Sequence, residues 1–120
     1  RGMSPFADGW DEAKVEAVLA RGDPSELLHV PIIVSLDPPD CAWSFAICLR
    51  LAAHADSRVR ANALLSFGHL ARTCGALDET ARPLIETALS DANEDVRFKA
   101  NDAAHDINHF LGWGLPTLDD

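Results

Sequence analysis

DSRVRANA, beginning at Asp56, and NEDVRFKA, beginning at Asn93, are two copies of one pattern, D/N-x-x-V-R-x-x-A, and Leu70 falls on Ile107 at the same shift of 37 residues (Asp56 onto Asn93). A repeat of that period, with one helix pair per period, is the signature of an α-solenoid, in which each unit buries its apolar face only against its neighbours. The second copy opens the clearest helical stretch of the chain, DANEDVRFKANDAAHDINHFLGW over residues 91–113. Val96, Ala100, Ala103, Ile107, Phe110 and Leu111 recur there every three or four residues and form one apolar stripe. Asn93 is the N-cap, Glu94 and Asp95 complement the helix dipole in the first turn, and Gly112 stands where a helix stops.

The rest of the chain is punctuated in the same way. Residues 1–9, with Pro5 and Gly9, read as an irregular lead-in. A first helix takes residues 10–21, with Trp10, Val15, Val18 and Leu19 inward and Gly22 ending it. Asp23-Pro24-Ser25-Glu26 starts a second helix that runs to Leu36, with a kink or break expected at Pro31 because an interior proline lacks its N–H and collides with the carbonyl of Leu27. Asp37-Pro38-Pro39-Asp40 stops and restarts the chain. The third helix, residues 41–53, carries Trp43, Phe45, Ile47, Leu49 and Leu51 nearly all round and is expected to be the most buried. Asp56 caps a fourth helix over residues 57–74, with Val59, Ala63, Phe67 and Leu70 as its core stripe and Gly75 as its stop. Asp78 caps a fifth over residues 79–89. Residues 112–120 form a tail, from which Trp113 packs back over the last pair. Residues 10–111 thus make one all-α domain of about three antiparallel helix pairs stacked side by side.

A chain of 120 residues with 48% hydrophobic and 24% charged residues has the balance of a single globular domain, and no apolar run approaches the ~18 residues of a membrane span. No basic-then-apolar leader precedes the first helix, so the reading is cytosolic, with no membrane partner. Cys41, Cys48 and Cys74 are odd in number and lack C-x-x-C spacing, which argues against a disulfide framework and a zinc cage. Cys41 and Cys48, two turns apart on one face, read as small core residues. The net charge of −9 repels nucleic acid and attracts a basic surface, although more than half of the 19 acidic residues fall at expected helix starts, where capping accounts for them.

In stacked helix pairs the second helices line one face of the array. Arg58, Asn62, His69 and Arg72 of the fourth helix would then lie beside Arg97, Asn101, Asp102, His105, Asp106 and His109 of the sixth, a polar surface suited to protein recognition. Asp91, Glu94, Asp95, Asp102 and Asp106 form the densest negative group in the chain. His105 and His109, at i and i+4 with Asp106 between them, could share a metal, but an isolated His-Asp pair on a charged helix is ordinarily a solvated face, so no metal or cofactor is expected. No nucleophile elbow or glycine-rich phosphate loop is present, and no catalytic residue is assigned.

The pattern D/N-x-x-V-R-x-x-A, closing on Phe67-Gly68 in the first copy, resembles the second helix of a HEAT repeat. The resemblance implies a HEAT-like α-solenoid in which Arg60 and Arg97 pair with acids of neighbouring repeats. With the small size, the acidic balance and the ending VRFKANDAAHDINHFLGW, residues 56–113 look similar to single-domain bacterial immunity proteins of toxin systems. That similarity implies a non-enzymatic protein, monomeric when free, that occludes the active site of a cognate, basic toxin such as a nuclease. A general HEAT-type adaptor is the alternative. A metal-dependent enzyme using His105, Asp106 and His109 is less favoured.

Overall fold

Asp11, Asp23, Asp40, Asp56 and Asn93 each place a side-chain oxygen on a free amide of the turn that follows, and a helix begins at each of them. The computed structural model describes residues 4–119, which fold into seven helices and no strand. They are α1 (Glu12–Arg21), α2 (Pro24–Leu27), α3 (Val30–Leu36), α4 (Cys41–Leu51), α5 (Ser57–Cys74), α6 (Ala81–Ala88) and α7 (Glu94–Leu111). The protein is all-α, as its periodicity predicts.

The helix expected to kink or break at Pro31 is broken just ahead of that residue, into α2 and α3. The Asn62 side chain of α5 donates to the Leu28 carbonyl at 2.7 Å and so satisfies the end of α2 from outside. Pro31 then falls in the first turn of α3, where a missing N–H costs nothing. The helix expected from residue 79 begins at Ala81. Ahead of it, Asp78 holds a tight turn by accepting from the Thr80 amide and hydroxyl at 2.9 and 2.8 Å.

Helix α5 is the hub. It packs on α2, α3, α4, α6 and α7, most extensively on α7 and next on α3, so α3, α5 and α7 lie side by side. Val59, Ala61, Ala63, Phe67 and Leu70 of α5 meet solvent at 1% or less, whereas α4, expected to be the most buried helix, leaves Cys41, Ala42, Ala46 and Arg50 exposed. The correction has a physical reason: α4 is apolar all round but packs from one side, while α5 is enclosed by five neighbours.

Helices α5 and α7 have the same length, 18 residues, and are superimposed by the 37-residue shift through to their left-handed glycine stops, Gly75 and Gly112. Val59 and Val96, Ala63 and Ala100, and Leu70 and Ile107 are all buried at equivalent places. The loops repeat as well. Arg60 Nη1 donates to the carbonyls of His54 and Ala55, and Arg97 Nη1 donates to the equivalent carbonyls of Asp91 and Ala92. The side chains of His54 and Asp91 accept from the amides of Asp56 and Asn93, both at 2.9 Å. Each arginine thereby ties the loop before its own helix to the helix body.

Two expectations fail at the periphery. Cys41 and Cys74 form a disulfide across a Cα separation of 6.2 Å, joining the first residue of α4 to the last of α5, and only Cys48 is a buried free thiol. Cys41 is therefore an exposed cross-link rather than a core residue. Phe110, placed on the apolar stripe by its spacing, is 45% exposed.

Helices α5 and α7 approach closely at Gly68. A Cβ there would stand 3.2 Å from the Ala103 Cα and 3.0 Å from Asp106 Oδ2. Gly68→Val should force the two helices apart and cost about 1–3 kcal/mol. A thermal midpoint that is unchanged or raised would mean that the helices are not in this close contact.

Candidate functional site

Hydrogen bonding divides the polar residues expected on the recognition face into those occupied within the fold and those left at the surface. On α5, Arg58 pairs with the capping Asp56 at 3.0 Å, and Asn62 is fixed on the Leu28 carbonyl. His69 is half-buried with Nδ1 3.1 Å from the fully buried Ser35 hydroxyl of α3, and Thr73 donates to the Ser35 carbonyl at 3.0 Å. Burial and the nearby Arg72 hold the His69 pKa below its ordinary value, against the opposing charge of Asp106. Asn62 and His69 therefore fasten α2 and α3 to α5, and of the expected α5 set Arg72 alone is exposed without a hydrogen-bond partner among the described residues.

Asp91 also belongs to the fold. Its carboxylate takes two bonds from Arg60, at 3.0 and 3.2 Å, which is the inter-repeat pairing expected of that arginine. Burial raises its pKa, but the bonds to Arg60 and to the Asn93 amide prevail and leave it below the ordinary value. Arg97, in the equivalent place, has the same bonds to its own loop and no carboxylate in hydrogen-bond contact among the described residues, although its charge helps to lower the Asp91 pKa.

The asymmetry extends to the outer faces of the two helices. On α5 the positions Ala61, Leu64, Gly68 and Ala71 share one face, all buried, and Gly68 on that face meets α7. Advanced by 37 residues they become Phe98, Asn101, His105 and Asn108 of α7. Here the tail takes the place of another helix. Asn108 bonds both the amide and the carbonyl of Leu115, at 2.7 and 3.0 Å, Asn101 accepts from the Leu118 amide at 2.8 Å, and His105 meets Asp119. Leu115 is buried beneath this strap, and Trp113 stacks under the Arg82 guanidinium at 4.8 Å, in keeping with the expectation that it packs back on the last pair. Phe98 lies beyond the strap and is 52% exposed.

The outer surface of α7 thus presents Glu94, Asp95, Phe98, Asp102 and His109. Asp95 is paired with Lys99 at 2.9 Å, His109 meets the Phe110 ring edge-on at 4.8 Å, and Glu94 and Asp102 are exposed without side-chain partners among the described residues. Asp106, expected to face solvent, is half-buried against Gly68 because α5 approaches so closely there. His105, Asp106 and His109 consequently point to three different neighbours, and no group of three or more His, Cys, Asp or Glu among the described residues is placed to hold a metal. Phe98 was legible in principle: at 100° per residue it falls opposite the buried stripe of α7, where an aromatic residue is unusual.

Sequence reading also missed a cleft of about 400 Å³ where the start of α4 meets the end of α5, beside the disulfide.

The capping carboxylates set the response to acid. The Arg58 side chain, together with two backbone amides, holds Asp56 at about 2, below the ordinary 3.8, and Asp23, Asp78 and Asp91 are also lowered. A depressed carboxylate stabilises the folded chain fully above its unfolded pKa and ceases to do so as pH falls through the folded value. The urea midpoint should accordingly begin to fall below about pH 6.5, where His69 takes up a proton more readily in the unfolded chain, and fall again between about pH 4 and 2, the acid step being less steep in Asp56→Asn. A midpoint indifferent to this range would contradict the capping geometry. No protein-family model matches the chain, and neither does any curated protein or solved structure.

Proposed function

We propose that this protein is a binding module that recognises a basic protein through the outer flank of α7, and that it acts as an immunity protein occluding the active site of a cognate toxin. The observation that carries the reading is Phe98. A half-exposed aromatic side chain sits on a capped, rigid helix, at a position whose counterpart one repeat upstream, Ala61, is completely buried. An exposed aromatic group on a rigid element is the usual anchor of a protein interface. A partner packing there would cover the part of this flank that the tail leaves open, around Phe98.

Charge decides the kind of partner. Glu94, Asp95 and Asp102 surround Phe98 on the same helix surface, and the whole chain carries −9. A nuclease must keep a basic cleft for its phosphate substrate, and an acidic flank of this kind imitates that substrate electrostatically. Such charge acts chiefly on the association rate and is screened beyond about 8 Å at physiological salt, whereas the aromatic anchor governs dissociation. The HEAT resemblance supports the same reading, since short helical arrays serve as rigid binding scaffolds.

Surface plasmon resonance against the protein encoded by the adjacent gene tests the proposal. Association should slow with salt and in Glu94→Lys with Asp102→Lys, both exposed positions, while Phe98→Ala should speed dissociation by roughly 10-fold or more, as loss of an interface anchor does. Binding that ignores salt and all three substitutions would place the interface elsewhere.

A further inference from the structure

The cleft between α4 and α5 lies away from the α7 flank, and its walls are of one kind. Leu70 of α5, 1% exposed, forms the floor, Ala42 and Phe45 of α4 one wall, and Ala76 and Leu77 of the α5–α6 connection the other. The Cys41–Cys74 disulfide joins the two helix ends that frame it, so the opening is fixed by a covalent link. Phe45 is held in place by the Phe67 ring behind it, with centroids 5.7 Å apart. A rigid, mostly apolar recess of about 400 Å³ is within the size range of small-molecule sites.

Asp78 is the only ionisable group among the described residues lining this recess. Its Oδ1 takes both bonds from Thr80, at 2.9 and 2.8 Å, which fixes the carboxylate and leaves Oδ2 without a hydrogen bond among the described residues. Those bonds keep Asp78 ionised to below the ordinary carboxylate range. The positive end of α4, which also opens here, is already neutralised by Asp40, whose Oδ1 accepts from the Trp43 amide at 3.0 Å.

We infer that this cleft is a binding site for a small amphipathic cation, an ammonium group on one aromatic ring or a short alkyl body, with the body on Phe45, Leu70 and Leu77 and the charge at Asp78. The apolar walls exclude a bare cation, which would lose hydration and gain one exposed carboxylate. The same carboxylate rejects anions of similar shape. An aromatic body would also stack on the Phe45 ring.

The test titrates the native, disulfide-bonded protein with phenethylammonium, with its neutral analogue 2-phenylethanol and with methylammonium, following the methyl resonances of Leu70 and Leu77. Phenethylammonium should shift both saturably and bind more tightly than either half-ligand. Asp78→Asn, which preserves the turn through its amide oxygen, should weaken phenethylammonium about tenfold and leave 2-phenylethanol unchanged. Ala42→Phe, which fills the recess from an exposed position, should abolish the response to both. Shifts that never saturate, methylammonium binding as tightly as phenethylammonium, or an Asp78→Asn protein with unaltered affinity would each overturn the inference.

Discussion

The contact of α5 with α7 at Gly68 is the constraint on which the rest of the structure depends. With no Cβ at that position the backbones come close enough for Ala103 and Asp106 to lie directly on the glycine. The neighbouring buried positions, Ala61, Ala71, Ala100 and Ala104, are also small. Each alanine contributes little burial, so the stability of this interface comes from many short dispersion contacts between well-ordered backbones, and it is sensitive to any added volume. Fixing α7 on α5 leaves the opposite flank of α7 at the surface. That flank carries Phe98, Arg97 and the residues that hold the tail.

Local order is supplied separately in each unit. An Asp or Asn cap starts the helix, a left-handed glycine ends it, and an arginine four residues after the cap closes the preceding loop. Where a further unit follows, the arginine also reaches across to it, as Arg60 does to Asp91. On the equivalent face of α7, polar side chains replace the small ones and the tail folds back over them. The disulfide lies outside this scheme. Such a bond persists in oxidising surroundings and is opened by cytosolic thiol pools, and α4 is also held on the core by the buried Ile47, Cys48 and Leu51.

The helical class, the capping residues and the equivalence of α5 and α7 were legible because they are written locally, in 3.6-residue periodicity, in turn chemistry and in a pattern stated twice. What was not legible depends on which surfaces meet. The spacing of three cysteines along the chain carries no record of the ends of α4 and α5 coming together. An apolar composition all round α4 says that it can be buried, but not that it will be packed on one side only. Asn62, His69 and Asp106 read as surface polar residues, and each is taken up by a helix arriving from elsewhere in the chain: α2, α3 and α5 in turn. Phe98 shows the converse. Its position in the helix was readable, yet its exposure becomes informative only beside the buried Ala61 of the neighbouring unit.

Native-state hydrogen exchange tests the central claim, that α5 is the enclosed hub and α7 is locked to it. Amides around Leu64, Phe67 and Ala71, and those around Ala100 and Ala103, should exchange only through global unfolding and share one denaturant dependence, while those of α1, which packs on few neighbours, should open locally and far sooner. Exchange from α5 as fast as from α1, or α5 and α7 opening as independent units, would contradict the account.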